Sequence, residues 1–330
     1  MMKLSICIPT YNRAKELDEC LSCIVPQIIG KDSIEIVISD NNSDDNTEQI
    51  IQKHMKQAVN LRYSKNSKNL GVDLNTIACI QNARGEYISM FSDDDIALDG
   101  AFDSIISTIK KYKPSVIHLN YYPFKNDWSK KQNCFFKEED VVFKDGRDLL
   151  VYCGLAHFSA ISFKRTYALE FIPGALEWLK EDVEPNSSFC YIATHTALTK
   201  KDLSVFIGRP NIAARVPEKV NYDVIKGACL DYAFYLQYLE KKNLIDHYRV
   251  KKHLNKYIKH FLPKKIVQYK CFKSGGLPKE YPKRFFNLFG KYPAFYLYIL
   301  PVLVLPKCIL WIPAFFATKI QNFIKKRRYK

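Results

Sequence analysis

Residues 4–119 alternate between short apolar runs and longer amphipathic stretches, and this alternation constrains the fold more than any other feature of the sequence. Five runs have the length and residue types of buried strands: Leu4–Ile8, Ile34–Ser39, Leu61–Ser64, Tyr87–Phe91 and Val116–Leu119. The stretches between them carry apolar residues at helical spacing. Strands and helices in this order, with short connections, predict an α/β fold whose mostly parallel sheet is covered by helices on both faces.

Polar segments follow three of these strands directly. They are Pro9–Arg13 after the first strand, Asp40–Asp45 after the second and Asp93–Asp95 after the fourth. Ligands of open parallel sheets bind just outside the carboxyl ends of the strands. We therefore expect the three segments to form one site, although they lie far apart in sequence.

Asp93, Asp94 and Asp95 are consecutive carboxylates at the end of a buried strand. Adjacent carboxylates repel by about 1 kcal/mol in water and by roughly 4 kcal/mol when half-buried, so such a cluster favours a bound cation. Oxygen ligands of this kind suit Mg²⁺ or Mn²⁺. The alternative is that Asp95 or Asp99 caps the following helix and that the other carboxylates are solvated.

Two common nucleotide-binding motifs are missing. The sequence contains neither G-x-x-x-x-G-K-[ST] nor G-x-G-x-x-G. These motifs bind phosphates through a glycine-rich loop. Without them, the sequence does not support an assignment as a P-loop enzyme or a dinucleotide-dependent oxidoreductase. A metal ion would have to neutralise the phosphates instead.

The formal net charge of +16 comes entirely from the C-terminal end of the chain. Residues 241–330 contain 22 Lys and Arg against two acids, whereas residues 1–240 contain 28 against 32. The partner of the positive charge should therefore be sought at that end. Its aromatic residues lie in an apolar run broken by prolines, so nucleic-acid binding is not predicted.

The apolar run Tyr292–Ala317 is long enough to span a bilayer. It is interrupted by Pro293, Pro301, Pro306, Lys307 and Pro313, and each broken helical hydrogen bond would need another partner in lipid. We expect an anchor that lies in the interface of an anionic leaflet. A transmembrane segment and a core or partner interface remain alternatives. The flanking basic residues are Lys279, Lys283, Arg284 and Lys291 before the run, and Lys319 and Lys325–Arg328 after it.

Ten cysteines are scattered along the chain, and only Cys20 and Cys23 are closely spaced. A zinc site would need a second Cys or His pair, so we interpret these two as core thiols. The N-terminus runs into a strand-like segment that is too short for a signal peptide. We expect a cytosolic, reduced protein.

Four motifs together resemble the family-2 glycosyltransferases of the GT-A fold. They are Ser5–Arg13, Ile36–Thr47, Asn69–Gly71, and Gly85–Tyr87 with Asp93–Asp95. The resemblance is close over residues 3–122 and looser to about residue 215. The form of Ser39–Ser43 is similar to a bacterial surface-polysaccharide branch that includes relatives of abequosyltransferase.

The resemblance implies an inverting transfer from a nucleotide-diphospho-sugar, with Mn²⁺ or Mg²⁺ as cofactor. Asp40 would touch the base, Asp93 would face the ribose or sugar, and Asp95, together with Asp93, would bind the metal. The residues implied for nucleotide-sugar binding are Pro9, Thr10, Tyr11, Arg13, Asp40, Asn42, Gly71, Asp93 and Asp94.

The family usually supplies a catalytic base from a Glu-Asp pair. Glu181 and Asp182 lie where this pair is expected, although the following Val183–Asn186 departs from the usual pattern. A carboxylate that takes the acceptor's proton contributes about 10²–10⁴-fold to the rate, and Asp182 is the candidate. The alternative is a solvated acidic turn. His157 and His195 are interpreted as structural.

These inferences divide the chain into four segments. Residues 1–122 would be the nucleotide-binding half and residues 123–220 the acceptor-side half of a GT-A catalytic domain. Residues 221–290 would be a basic helical extension, and residues 291–330 a membrane-anchoring tail.

We expect a glycosyltransferase on the cytoplasmic face of the cell membrane that adds a sugar to a lipid-linked glycan during surface polysaccharide or glycoconjugate assembly. Two alternatives are a nucleotidyltransferase that acts on a sugar phosphate and a non-catalytic sugar- or membrane-binding module.

Overall fold

The computed structural model describes residues 2–310, apart from residues 131, 155–156, 185–186, 217–222, 224 and 273–276. The chain divides into two compact units, Met1–Val220 and Asn221–Lys330. Of the basic residues expected to anchor the chain, Lys319 and Lys325–Arg328 lie outside the described residues.

The first unit contains a sheet of nine strands within the described residues. The strands are β1 Leu4–Thr10, β2 Ile34–Asp40, β3 Leu61–Lys65, β4 Tyr87–Met90, β5 Ile96–Ala97, β6 Val116–Phe124, β7 Val141–Phe143, β8 Ile161–Lys164 and β9 Ser204–Arg215. Their order is β3-β2-β1-β4-β8-β6-β9-β5, and β7 pairs with β9. β1 to β4, β6 and β9 run in one direction, whereas β5, β7 and β8 run in the other.

Helices of the first unit cover both faces of this sheet. They are α1 Ala14–Ile28, α2 Thr47–Met55, α3 Val72–Asn82, α4 Ala101–Tyr112, α5 Gly146–Cys153, α6 Arg165–Trp178 and α7 Ser187–Thr199. Ile6 and Ile8 of β1 pack in one apolar core with α1 and α4. Cys7, which lies between them, points to the opposite face and contacts the Cys79 carbonyl of α3. The predicted α/β fold with a mostly parallel, doubly covered sheet is confirmed.

Two elements differ from the sequence-based expectation. β8 returns antiparallel between β4 and β6, so the expected fifth strand is not adjacent to the fourth. α6 was not predicted, because Pro173 and Gly174 interrupt its helical pattern. Gly174 is needed there, since a Cβ would lie 2.5 Å from the Tyr191 hydroxyl of α7.

The second unit is helical in its described residues. Its helices are α8 Tyr232–Lys241, α9 His247–His260, α10 Leu262–Phe272, α11 Tyr281–Phe289 and α12 Leu300–Val304. α9 buries Val250, Leu254 and Ile258 at intervals of four residues, and its N-terminus is capped by the Asp246 carboxylate. Short π-helical segments, Lys226–Asp231 and Phe295–Ile299, precede α8 and α12.

The described part of the apolar run that begins at Tyr292 contacts α10 of the same unit. The Lys270 ammonium donates to the carbonyls of Val302, Leu303 and Leu305 at 2.8–2.9 Å, which satisfies acceptors at the end of α12. In the part of the chain that the structure describes, no helix combines the length and the apolar composition needed to cross a membrane.

Candidate active site

The carboxyl ends of β1, β2 and β4 bring the three predicted polar segments together, and the segment after β1 contacts both of the others. Thr10 and Asp40 are paired in register at the ends of β1 and β2. The Thr10 hydroxyl donates to Asp93 Oδ2 at 2.8 Å, across 83 positions of sequence. Thr10 therefore stands between Asp40 and the aspartate cluster, as the parallel arrangement requires.

Arg13 binds two of the three consecutive aspartates. Its Nη1 atom donates to Asp93 Oδ1 at 3.0 Å and to Asp94 Oδ2 at 2.8 Å. The attraction of Asp93 is the main reason why the pKa of Arg13 is raised. Both oxygens of Asp93 are thus engaged, one by Thr10 and one by Arg13. The negative charges of Asp93 and Asp94 are compensated by one guanidinium group.

Asp95 has different surroundings from its two neighbours. Its Oδ2 accepts from the Ser159 hydroxyl at 2.6 Å and its Oδ1 from the Arg215 backbone N–H at 2.8 Å. Both donors are uncharged, and no Lys or Arg side chain forms an ion pair with Asp95 among the described residues. The carboxylate is also only 3% exposed. Asp95 is therefore a buried carboxyl group that pairs with no Lys or Arg side chain, and its ionised form would favour a bound cation.

Burial dominates the acid–base behaviour of these carboxyl groups. It raises the pKa of Asp93 to about 6, against the opposing attraction of Arg13. It raises the pKa of Asp95 to about 7, with a further contribution from the negative charge of Asp94. Metal binding would reverse this effect, because a cation favours the ionised form.

The residues present fit a divalent ion only in part. Asp95 supplies a hard, uncompensated oxygen ligand, but the described residues contain no group of three or more His, Cys, Asp or Glu side chains that could hold a metal by themselves. Mg²⁺-type sites commonly use one or two protein carboxylates, with substrate phosphates and water in the other positions. The arrangement therefore suits an ion that is bound jointly with a phosphorylated ligand. The alternative in which an aspartate caps α4 is not observed, since Gly100 occupies the N-cap position.

The turn after β1 is tied to the loop after β2. Asn12 N–H donates to Ser43 Oγ at 2.9 Å, and Asp44 N–H donates to Asn12 Oδ1 at 2.9 Å. Asn12 and Asn42 both adopt positive φ angles, of 51° and 68°, which asparagine tolerates better than most residues. These contacts hold the two predicted nucleotide-binding segments against each other.

Asp40 itself is fully buried. Its carboxylate accepts from the Ser43 N–H at 2.9 Å and from the Tyr63 hydroxyl at 3.2 Å. It thus shapes the loop around Asn42, while Tyr11 at the mouth of the turn is 42% exposed. The predicted contact of Asp40 with a base stays a prediction.

The Asn69–Gly71 turn joins the same edge. Asn41 donates through Nδ2 to Asn69 Oδ1 at 2.8 Å and accepts the Leu70 N–H at 2.8 Å. Gly71 has a φ of 82°, which explains why glycine is used there. The turn leads into α3, whose Asp73 accepts the N–H of Ser188 in α7 at 2.8 Å.

Glu181 and Asp182 lie in the exposed turn between α6 and α7. The Asp73–Ser188 hydrogen bond fixes the N-terminal end of α7 next to the start of α3, which follows the polar edge of the sheet. A role for Asp182 as base stays a prediction.

Sequence reasoning missed Ser159 and Arg215. Besides binding Asp95, Arg215 donates through Nε to the Asp94 carbonyl at 2.9 Å, forms an ion pair with Glu19 and lies over the ring of Phe124. Neither residue belongs to a recognisable motif. Ser159 only precedes a strand-like run, and Arg215 lies beyond Gly208 and Pro210, which interrupt the strand pattern.

Residues 5–165 match the family described as Glycosyl transferase family 2. Abequosyltransferase RfbV of Salmonella typhimurium is 43% identical over 95 residues, which are 28% of this chain and 28% of that protein. The GalNAc(5)-diNAcBac-PP-undecaprenol beta-1,3-glucosyltransferase of Campylobacter jejuni is 34% identical over 107 residues, which are 32% of this chain and 34% of that protein. The chain thus spans about a third of the length of these curated relatives. The predicted resemblance is confirmed.

Among solved structures, S. aureus TarS residues 1–349 in complex with UDP superimposes with a TM-score of 0.63 at 16% identity. The match covers 91% of this chain and 81% of that chain. At this identity the match shows the fold alone, and it confirms the predicted GT-A architecture.

Proposed function

Because residues 5–165 carry a domain of glycosyl transferase family 2, we propose that the protein transfers a sugar from a nucleotide-diphospho-sugar to a glycan acceptor, with inversion at the anomeric carbon. The observation that carries the proposal is the set of contacts at the sheet edge. Thr10 and Arg13 bind Asp93, and the buried Asp95 keeps an uncompensated charge beside them.

On the donor side, the chain's own residues provide a rigid frame. The hydrogen bonds between the Asn12 turn and the Ser43 loop hold the nucleotide-binding segments in a fixed geometry before the donor arrives. A pre-organised site loses less conformational entropy on binding. A divalent ion on Asp95 would supply charge neutralisation to the diphosphate that leaves.

On the acceptor side, a hydroxyl must lose its proton as it attacks the anomeric carbon. Asp182 would accept this proton, because it is an exposed carboxylate at the position where the family resemblance expects the catalytic base. General-base catalysis of this kind requires only that the carboxylate come within hydrogen-bonding reach of the hydroxyl in the bound complex.

We further propose that the acceptor is lipid-linked and that the protein acts at the cytoplasmic face of the membrane as a peripheral enzyme. The name of the Campylobacter relative contains a PP-undecaprenol carrier. In this chain, the second unit exposes apolar side chains within a strongly basic sequence, among them Leu297, Val304 and Ile309. Such a surface matches an anionic bilayer.

The central test is Asp95→Asn, which keeps the side-chain size and removes the charge. Binding of UDP in the presence of Mn²⁺, measured by calorimetry on the full chain, should be lost in this variant. Asp103→Asn is a matched control, because Asp103 forms a surface ion pair with Lys31. Unchanged affinity in Asp95→Asn would contradict the proposed metal site.

Product analysis separates the alternatives. A glycosyltransferase that acts on a nucleotide-diphospho-sugar releases a nucleoside diphosphate, whereas a nucleotidyltransferase releases pyrophosphate. A non-catalytic module releases neither product. A glycosyltransferase should also hydrolyse its nucleotide sugar slowly when no acceptor is present, whereas such a module should not. Release of pyrophosphate, or no turnover with any of a panel of nucleotide sugars, would refute the proposed activity.

A further inference from the structure

The segment that joins β6 to β7 presents an aromatic side chain to solvent. Phe135 is 59% exposed, yet the backbone around it is fixed. The Phe135 N–H donates to the Tyr121 carbonyl of β6 at 3.0 Å. The Asn120 amide donates to the carbonyls of Phe136 and Lys137 at 3.0 and 3.2 Å. The exposed ring is therefore carried by a hydrogen-bonded backbone that follows the end of β6.

Phe135 is the outer member of a row of rings. Its centroid lies 4.6 Å from that of Tyr121, with 35° between the ring planes. The Tyr121 centroid lies 4.0 Å from that of His157, whose Nε2 atom is 3.9 Å from Asp95 Oδ2. We call Phe135, Tyr121 and His157 the aromatic row. It leads from the aspartate cluster to solvent.

The middle of the aromatic row is supported from within the fold. Tyr121 is partly buried against the main apolar core. Phe136 packs edge-on against it, with 6.2 Å between the ring centroids, and is itself edge-on to Phe206 of β9 at 5.5 Å. A surface whose rings are fixed before a ligand arrives loses little conformational entropy on binding.

The strand order separates the aromatic row from the segment that is expected to touch the nucleotide base. Asp40 ends β2, which lies two strands from β4 on one side, whereas Tyr121 lies in β6, two strands from β4 on the other. Four strand spacings amount to roughly 19 Å, so one base cannot contact both. A donor that extends from Asp40 to the aspartates would leave the aromatic row to the second substrate.

The chemistry of the aromatic row suits a sugar ring. The faces of a pyranose carry C–H groups with a slight positive charge, and these pack against the electron-rich face of an aromatic ring. Ligand sites typically combine such apolar contacts with a few polar groups, here the neighbouring carboxylates. A lipid chain fits less well, because it would remove water from those carboxylates without offering hydrogen bonds.

We propose that Phe135, supported by Tyr121, is the platform on which a pyranose ring of the glycan acceptor stacks beside the aspartate cluster. This inference rests on the proposed function and deepens it, because it names the surface that binds the acceptor and the part of the acceptor that is recognised. The hydroxyl that attacks would belong to a ring that lies flat on Phe135.

Saturation-transfer difference NMR on the full chain with UDP and Mg²⁺ tests this directly. The probes are methyl glycopyranosides of glucose, galactose, mannose, N-acetylglucosamine, N-acetylgalactosamine and rhamnose. At least one should receive saturation, most strongly at the C–H protons of one ring face. Phe135→Ala should reduce the transfer by about fivefold, whereas Phe135→Tyr, which keeps the ring, should retain it. Phe286→Ala is the matched control, because Phe286 is 54% exposed in the second unit.

Binding of UDP, measured by calorimetry on the same samples, separates this inference from the function on which it rests. Unchanged UDP affinity in Phe135→Ala, with loss of the glycoside signals, is the expected result. Equal transfer in Phe135→Ala, or no transfer to any glycoside from wild type that binds UDP, would overturn the inference alone. A parallel loss of UDP affinity would assign the aromatic row to the nucleotide and also overturn it. Wild type that binds no UDP would contradict the proposed function and this inference together.

Discussion

At the scale of single residues, the three adjacent aspartates show how identical side chains acquire different properties. Asp93 and Asp94 share the guanidinium of Arg13, whereas Asp95 has only neutral donors. The sequence predicts that all three lie at the sheet edge. It cannot predict which one lacks a cation, because Ser159 and Arg215 come from distant parts of the chain.

Asp182→Asn should separate binding from chemistry. The amide cannot accept the acceptor's proton, so we expect the transfer rate to fall by about 10²–10⁴-fold. Donor affinity should stay unchanged, because Asp182 is proposed to act on the acceptor. Turnover with a nucleotide sugar and binding of UDP with Mn²⁺ would be measured on the same preparation. Full turnover by the variant would show that Asp182 is not the base, and Glu181 would then be the next candidate.

A second residue-scale prediction concerns His118 in β6. Its ring is fully buried next to Phe206 and Phe136, and neither nitrogen makes a well-formed hydrogen bond in the described structure. Burial lowers the pKa of His118 to about 3. Between the two pKa values the imidazole is protonated in the unfolded chain but neutral in the folded chain. The free energy of unfolding therefore decreases as the pH falls below about 6.5.

His118→Phe should remove this dependence. The difference in the free energy of unfolding between variant and wild type should be roughly 2 kcal/mol more favourable to the variant at pH 5 than at pH 8. Denaturant titrations at the two pH values would measure the difference, since other titrating groups are common to both proteins. An identical pH response of variant and wild type would show that His118 does not titrate as inferred.

At the scale of elements, the short strand β5, which directly follows the aspartates, determines which residue of β9 lies next to Asp95. In β5, Ile96 and Ala97 pair antiparallel with Ala213 and Ile212 of β9. This register carries Arg215 to Asp95. In the sequence, Gly208 and Pro210 interrupt the strand-like pattern that runs from Leu203 to Ile207, because both are weak strand formers.

The reason why β9 continues is visible only in three dimensions. The parallel pairing of β6 and β9 is irregular around Asn120, and the Asn120 amide fills the gap by donating to the Gly208 carbonyl at 2.7 Å. A side chain thus replaces ladder hydrogen bonds where the two strands lose register. Secondary-structure propensities of the individual residues cannot predict such a side-chain hydrogen bond. By contrast, β1, β2 and β4 were predictable, because each consists mainly of apolar residues.

Gly85 at the entrance to β4 gives an element-scale prediction. A Cβ at this position would lie 2.6 Å from the backbone nitrogen of Ser5 in β1. Gly85→Ala should therefore push two central strands apart and lower the free energy of unfolding by about 1–3 kcal/mol or more. Ser67→Ala, on an exposed loop, is a control for an alanine substitution outside the core. Thermal unfolding within error of wild type would contradict this packing.

At the scale of the whole molecule, the charge asymmetry seen in the sequence coincides with the second unit. Its exposed apolar side chains include Leu297, at 73% exposure, and Val304, at 67%. Exposed apolar residues of this size are costly to leave in water when they cluster. Their position within basic sequence supports the proposed membrane surface.

The double variant Leu297→Glu with Val304→Glu should weaken binding of the full chain to anionic vesicles by about tenfold, since both apolar burial and charge attraction are reduced. Val59→Glu is the matched control, because Val59 is 93% exposed in the first unit. Co-sedimentation at low and high salt would be measured. If the double variant sediments like wild type, this part of the second unit does not contact lipid.

The wide sequence separation of the groups around Asp95 also has a consequence for biosynthesis. Thr10 is hydrogen-bonded to Asp93 across 83 positions, and Asp95 is hydrogen-bonded to Ser159 across 64 positions and to Arg215 across 120. A nascent chain emerging from the ribosome cannot complete this arrangement until Arg215 has left the exit tunnel. Unfinished products of translation that stop before that residue would therefore lack the complete set of contacts around Asp95, even where their first strands have already folded.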